Sequence, residues 1–225
     1  ENLTKDNFYE LERPILSNSQ FKKFNGFFKN DIKILDCTFD VQTTLEKKLE
    51  KLCAEAEISV REGYKHLILN DKKVSESKIA IPMILASGAI NTRLTNLNIR
   101  GFVSINVQTA DVLDTHSFAV LLGIGVTTIN PYLAFDSIYQ RFKKKLFKSL
   151  SYDECIQRYI KSIDNGLLKI MSKMGISVLS SYRGGCNFEA LGLSRTTVSK
   201  YFPGIISRIS GIGIFGIEKK IIKLH

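Results

Sequence analysis

The sequence predicts an α/β fold: a mainly parallel sheet with crossover helices, resembling an incomplete or degenerate β/α barrel, with an extended N-terminal arm. Two observations carry this prediction. Strand-like and helix-like segments alternate between Ile32 and Asn130 through short connections, and parallel neighbours need a crossover where antiparallel ones need only a tight turn. In addition, 44% of the 225 residues are hydrophobic, enough to bury the core of one large domain or of a domain with an attached arm.

Residues 1–30 read as an arm packed on the domain, and residues 31–225 as its α/β body. In the arm, the stretch from Leu11 to Leu16 is extended around Pro14, and Ser17-Asn18-Ser19 is placed to cap a short helix through Gln20–Phe24. Ile32–Phe39 is the first strand-like stretch. Leu45, Leu49, Leu52, Ala56 and Val60 then recur at spacings of three and four, with Glu and Lys between them, which predicts an amphipathic helix ending near Gly63.

The alternation continues. His66–Leu69 is a short buried strand, and Ile81-Pro82 opens a helix to about Leu97 with Pro82 suited to its first turn. Gly101–Val107 is the third strand, Thr115–Leu122 a helix stopped by Gly123, and Val126–Ile129 the fourth strand, closed by Asn130-Pro131. Beyond Pro131 the reading is mainly helical. Arg141–Lys148 has the apolar interleaving of an amphipathic helix, Ser151–Glu154 matches a capping box, and a further helix runs from Gly166 to Met174. Ile176–Leu179 is expected to return to strand, Ser180–Gly185 to form a loop, and Cys186–Leu191 a helix stopped at Gly192. Ser194 is placed to cap another short helix before a glycine-rich tail.

Composition narrows the function classes. No apolar run approaches the ~18 residues of a membrane span, and the start at Glu1 carries no signal-peptide pattern; a chain beginning this way is expected to be a processed product or an expressed fragment. Cys37, Cys53, Cys155 and Cys186 are scattered without a C-x-x-C pair, so reduced thiols in an intracellular compartment are expected. The net charge of +10 is compatible with nucleic acid or an acidic membrane. However, the lysines are spread along the chain, and the dense cluster at Lys143-Lys144-Lys145 reads as a solvated helix face.

Gly211-x-Gly213-x-x-Gly216 fits a dinucleotide fingerprint, but too few residues follow it for a crossover helix, a second strand and the distal acidic residue, so a turn or close packing is expected. Asp153 and Glu154 belong to the capping signal and its favourable dipole end. Arg183 sits in a loop beside two glycines, where a guanidinium can bind a carboxylate or phosphate. The favoured expectation for it is an internal partner, either an acidic residue or backbone carbonyls.

The stretch from Gly166 to Ser177, continuing through Ser181-Tyr182-Arg183-Gly184 to Phe188–Leu193, resembles the large subunit of glutamate synthase. Further blocks follow the same order: Ala54-Glu55-Ala56 with Val60–Tyr64, His116–Gly123, Asn130–Phe135 and Ser207–Gly213. The resemblance is to the central domain, between an amidotransferase domain that releases ammonia from glutamine and an FMN and iron-sulfur domain that uses it to make glutamate from 2-oxoglutarate. It implies a non-catalytic scaffold that links these two domains of the same polypeptide and helps to form the ammonia passage. No catalytic, cofactor or metal residue is expected in this segment; FMN, the iron-sulfur cluster and an electron-donating NAD(P)H module or ferredoxin belong to the parent enzyme.

The family's amidotransferase nucleophile is an N-terminal cysteine, whereas this chain begins with Glu1, and none of its four cysteines has the clustered spacing of the family's iron-sulfur ligands; Gly185-Cys186-Asn187 and Asn91-Thr92 depart from the usual central-domain residues. The candidate inter-domain surface comprises Ser181, Tyr182, Arg183, Gly184 and Gly185, together with Asn130, Pro131 and Tyr132. An intracellular location, cytoplasmic or plastid, without a nucleic-acid or membrane partner, completes the expectation. Two other readings compete: a freestanding α/β barrel enzyme that binds a phosphorylated ligand or flavin at its strand C-termini, and a basic nucleic-acid-binding module.

Overall fold

The structure is a computed structural model that describes residues 9–225; the first eight residues of the predicted arm lie outside the described residues. In chain order the elements are α1 (Asn18–Phe27), β1 (Ile32–Asp36), β2 (Thr38–Asp40), α2 (Leu45–Arg61), β3 (His66–Asn70), β4 (Lys78–Ala80), α3 (Met83–Asn96), β5 (Ser104–Gln108), α4 (Thr115–Gly123), β6 (Thr128–Asn130), α5 (Tyr132–Lys143), α6 (Tyr152–Lys173), α7 (Leu179–Tyr182), β7 (Glu189–Leu193), α8 (Arg195–Tyr201), β8 (Ile206–Ile212) and α9 (Ile214–Leu224).

β1, β3, β5 and β6 form one parallel sheet in that order, so each new strand lies beside the one before it. This stepwise order, with a helix after each strand, is the arrangement of an opened β/α barrel. Strand residues alternate between two faces. Leu35, Leu67, Leu69, Ile105, Val107 and Ile129 join the core with α2, α3, α4 and α6, whereas Ile68 packs on the other face against Leu16, Phe21 and Phe24. α1 therefore covers one face of the sheet, held at its start by a capping box between Ser17 and Gln20.

The edge of the sheet explains one departure from expectation. Leu16 N donates to Ile129 O at 2.9 Å and Ile129 N to Pro14 O at 2.8 Å, making a parallel bridge between Ile15 and Ile129. The arm thus takes the position beside β6 where a fifth barrel strand would lie. Ile176–Leu179, expected as a strand, has no sheet edge to join there and leads instead into the short α7. Cys186–Leu191, expected as a helix, becomes loop and β7, which pairs in parallel with β8 in a separate two-stranded sheet.

Three further expectations change in detail. Gly123 ends α4 from within, and the left-handed residue that terminates the turn is Gly125, at φ +114°. Arg141–Lys148 is helical only to Lys143; Lys145 and Lys148 adopt positive φ of 55° and 52° in the turns that follow. The helix expected from Gly166 is instead the second half of α6, which runs unbroken for 22 residues. Gly166 permits α6 to approach α4, since a Cβ there would lie 2.5 Å from Thr115 Cγ2.

Candidate functional site

The parallel sheet carries a row of polar side chains at its strand C-termini. Register places Asp36, Asn70, Gln108 and Asn130 side by side. Asn70 Nδ2 donates to Gln108 Oε1 at 2.7 Å, Gln108 Nε2 to Asn130 Oδ1 at 2.8 Å, and Asn130 Nδ2 to both Leu16 O (2.9 Å) and Asn18 Oδ1 (3.0 Å). Amides suit such a chain because each both donates and accepts. The row ends on the arm, so Asn130 ties residues 16–18 to the sheet.

Two carboxylates flank this row. Burial would raise the Asp36 carboxyl, but hydrogen bonds from Thr38 and the nearby Lys73 charge outweigh it and hold the group below its ordinary value. Asp71 is buried and accepts from Thr109 Oγ1 at 2.6 Å and Ala110 N at 3.0 Å, which fixes the loop after β5. Burial, reinforced by Asp71, pushes the Tyr132 hydroxyl well above its ordinary range, and Lys72 Nζ lies 4.7 Å from the centre of its ring. Asn130 and Pro131 are buried and Tyr132 half-buried. These groups satisfy one another.

Ser181–Gly185 lies at the other end of the sheet. Gly184 N donates to Leu122 O and Cys186 N to Gly123 O, both at 3.2 Å, and Leu122 O also accepts from Gly125 N, so the loop docks on the carbonyls at the end of α4 just before β6 begins. Tyr182 is buried, with its hydroxyl donating to Ala119 O at 3.2 Å. Ser181, Arg183, Gly184 and Gly185 are exposed. The fold therefore does not bring the eight candidate residues together: Asn130, Pro131 and Tyr132 sit at the strand C-termini, and the 181–185 loop at the strand N-termini.

The internal partner expected for Arg183 is not found: its guanidinium is exposed and makes no hydrogen bond or ion pair among the described residues. The residue that does perform such a role is Arg100, which the sequence reading missed. Its Nε donates to Asn91 Oδ1, Nη1 to Val103 O and Nη2 to Gly125 O, each at 2.6 Å. One guanidinium thus joins α3 to the starts of β5 and β6. Burial, then the Arg183 charge, pulls its pKa down to about 10. No local signal marked it, since two of its three partners are nine and 25 positions away.

The remaining sequence features have packing roles. A Cβ on Gly211 would lie 2.1 Å from Gly192 O, and one on Gly216 would lie 2.9 Å from Ile212 Cβ, so these glycines serve the β7–β8 approach and the packing of the first turn of α9 on the end of β8. The four cysteines are free thiols, with Cys37 and Cys155 buried. Among the described residues no group of three or more His, Cys, Asp or Glu is placed to hold a metal ion, so the donor set does not fit an iron-sulfur cluster. No helix among those residues is long and apolar enough to cross a membrane.

Taken together, these features define an α/β domain, a singly wound parallel sheet whose polar groups join its own elements. Residues 1–194 match the family model described as the glutamate synthase central domain. The chain is 47% identical over 228 residues to the glutamate synthase [NADPH] large chain of Azospirillum brasilense, covering 100% of this chain and 15% of that protein. It is 37% identical to the corresponding large chain of Bacillus subtilis, covering 96% and 14%. Against the chloroplastic ferredoxin-dependent glutamate synthase of Oryza sativa the identity is 36%, covering 90% and 13%. The chain belongs to the glutamate synthase central domain family, and it spans about 15% of the length of the first of these relatives.

Proposed function

We propose that this chain serves as the non-catalytic central scaffold of a glutamate synthase, holding a glutamine amidotransferase domain and an FMN and iron-sulfur domain in register and contributing to the ammonia passage between them. In this reading residues 1–30 are a docked arm and residues 31–225 the body, and the parent enzyme works inside the cell, in cytoplasm or plastid, with an NAD(P)H module or ferredoxin as electron donor. The observation that supports the scaffold role is the use of polar side chains. The Asn70–Gln108–Asn130 row and the Arg100 clamp spend their hydrogen bonds joining elements of the domain to one another. A rigid body of this kind suits a part whose task is to fix distance, because ammonia passed directly between two held sites is neither diluted nor protonated by bulk water.

Two measurements test the proposal. The purified chain is expected to be colourless, to bind no stoichiometric FMN and to show neither glutaminase nor glutamate-forming activity; flavin bound at unit stoichiometry after gentle purification would overturn it. In the parent enzyme, the bulky substitution Ser181→Trp on the exposed loop is expected to raise the ratio of glutamine hydrolysed to glutamate formed. A ratio unchanged by this and by Gly185→Trp would remove the loop from the inter-domain surface.

A further inference from the structure

A cleft of about 510 Å³ opens at the strand N-termini, bordered by Arg100, Arg183, Asn91, Thr95, Asn96 and Cys186. Its charge balance is one-sided. Two guanidiniums line it, and no Asp or Glu is found among its lining residues. Arg100 is half-buried, and all three of its bonded acceptors are neutral: one amide oxygen and two backbone carbonyls. Arg183, on the opposite loop, has no hydrogen-bond or ion-pair partner among the described residues and is near enough for its charge to be felt at Arg100. Elsewhere the chain supplies carboxylates to its part-buried cations, as with Arg13 and Asp164 at 2.9 Å.

A half-buried cation held by neutral groups alone keeps an uncompensated field, and a second cation lining the same cleft adds repulsion that an anion between them would relieve. Guanidiniums also present paired N–H groups that match the two oxygens of a carboxylate or phosphate. Arg100 uses one hydrogen on each of Nε, Nη1 and Nη2, which leaves one on each terminal nitrogen. Asn91 commits its oxygen to Arg100 and so has its Nδ2 left to donate. The backbone that positions the pair is fixed by Gly125, where a Cβ would lie 2.5 Å from Asn91 Oδ1, and by the loop hydrogen bonds from Gly184 and Cys186.

We propose that this cleft is an oxyanion-binding site, in which Arg100 and Arg183 together take a carboxylate or phosphate group. The group comes either from a small anion in solution or from an acidic side chain elsewhere in the longer polypeptide, and the two sources share this chemistry.

Cys186 borders the cleft and is half-buried, which makes its thiol a reporter. Alkylation of Cys186 by iodoacetamide, followed by peptide mass spectrometry, is measured in the 225-residue chain with inorganic phosphate, malonate, or sodium chloride at matched ionic strength. If the source is a small anion, phosphate or malonate slows alkylation saturably by about tenfold, chloride does not, and Arg183→Gln abolishes the protection. If the source is a side chain of the longer protein, Cys186 of the parent enzyme is protected without added anion, and Arg183→Gln restores alkylation. Arg183 is exposed, so this variant keeps the fold, and Arg195→Gln, outside the cleft, serves as the control that changes neither result. The proposal is overturned if Cys186 shows no Arg183-dependent protection in either protein, or if chloride protects as well as phosphate does.

Discussion

Asn130→Ala gives the sharpest test of how the arm is held. The Asn130 side chain accepts from Gln108 Nε2 at 2.8 Å and donates to Leu16 O at 2.9 Å and Asn18 Oδ1 at 3.0 Å. Truncation to alanine removes all three bonds, but their costs differ. Asn18 is exposed and recovers a bond to water. Leu16 is fully buried, so its carbonyl is left without a partner, and the half-buried Gln108 amide loses its acceptor. A lost buried hydrogen bond costs on the order of 1 kcal/mol and an orphaned buried group about 1–3 kcal/mol, so the variant should lose about 2–4 kcal/mol. Urea denaturation followed by circular dichroism gives the loss, and hydrogen exchange at the Leu16 amide, which donates to Ile129 O, reports whether the arm detaches. Asn18→Ala is the control and should stay within about 0.5 kcal/mol. A loss below about 0.5 kcal/mol for Asn130→Ala, with Leu16 exchange unchanged, would refute the view that this amide row anchors the arm.

Two other outcomes follow from the same structure. Replacing Lys143, Lys144 and Lys145 together by Gln should lower stability by less than about 1 kcal/mol, because all three are exposed and their only side-chain partner among the described residues is the Tyr139 ring, 4.7 Å from Lys143 Nζ; a melting temperature lowered by about 10 °C would mean they support the fold. His66 is held below its ordinary pKa by burial, with Lys65 adding to the effect and Asp31 opposing it, and its Nδ1 lies 2.7 Å from Ser104 Oγ. The unfolded chain therefore binds a proton here more readily than the folded one, so stability should rise with pH up to the unfolded value near 6.5 and be lowest below the folded pKa. His66→Gln should flatten that part of the stability curve, and an unchanged slope in urea titrations across it would exclude His66 as the cause.

Much of the body was legible because its signals are local. The spacing of Leu45, Leu49, Leu52, Ala56 and Val60 became α2 with those residues buried, and Ser17 and Ser151 form the capping boxes of α1 and α6. The parallel order of β1, β3, β5 and β6 follows from strands separated by helices, which leaves few other ways to bury both layers. The family resemblance was legible for a different reason, since its blocks are ordered runs of residue identities and require no folding to be read.

What the sequence could not decide are the pairings between distant parts of the chain. Ile176–Leu179 has the apolar run of a strand, yet a strand needs a free edge, and the one beside β6 is filled by Pro14–Leu16 from the far end of the chain. Glu189–Leu193 is a strand because β8 pairs with it and Gly211 lets the two approach, a choice that local propensity misread as helix. Arg100 and Arg183 are 83 positions apart in the sequence and share a cleft only once α3, the turn before β6 and the 181–185 loop are assembled. Local periodicity and capping thus determined the long helices and the four strands of the parallel sheet. Tertiary structure decided which edge each segment could reach and which charges would face one another, because those energies depend on neighbours that sequence spacing does not reveal.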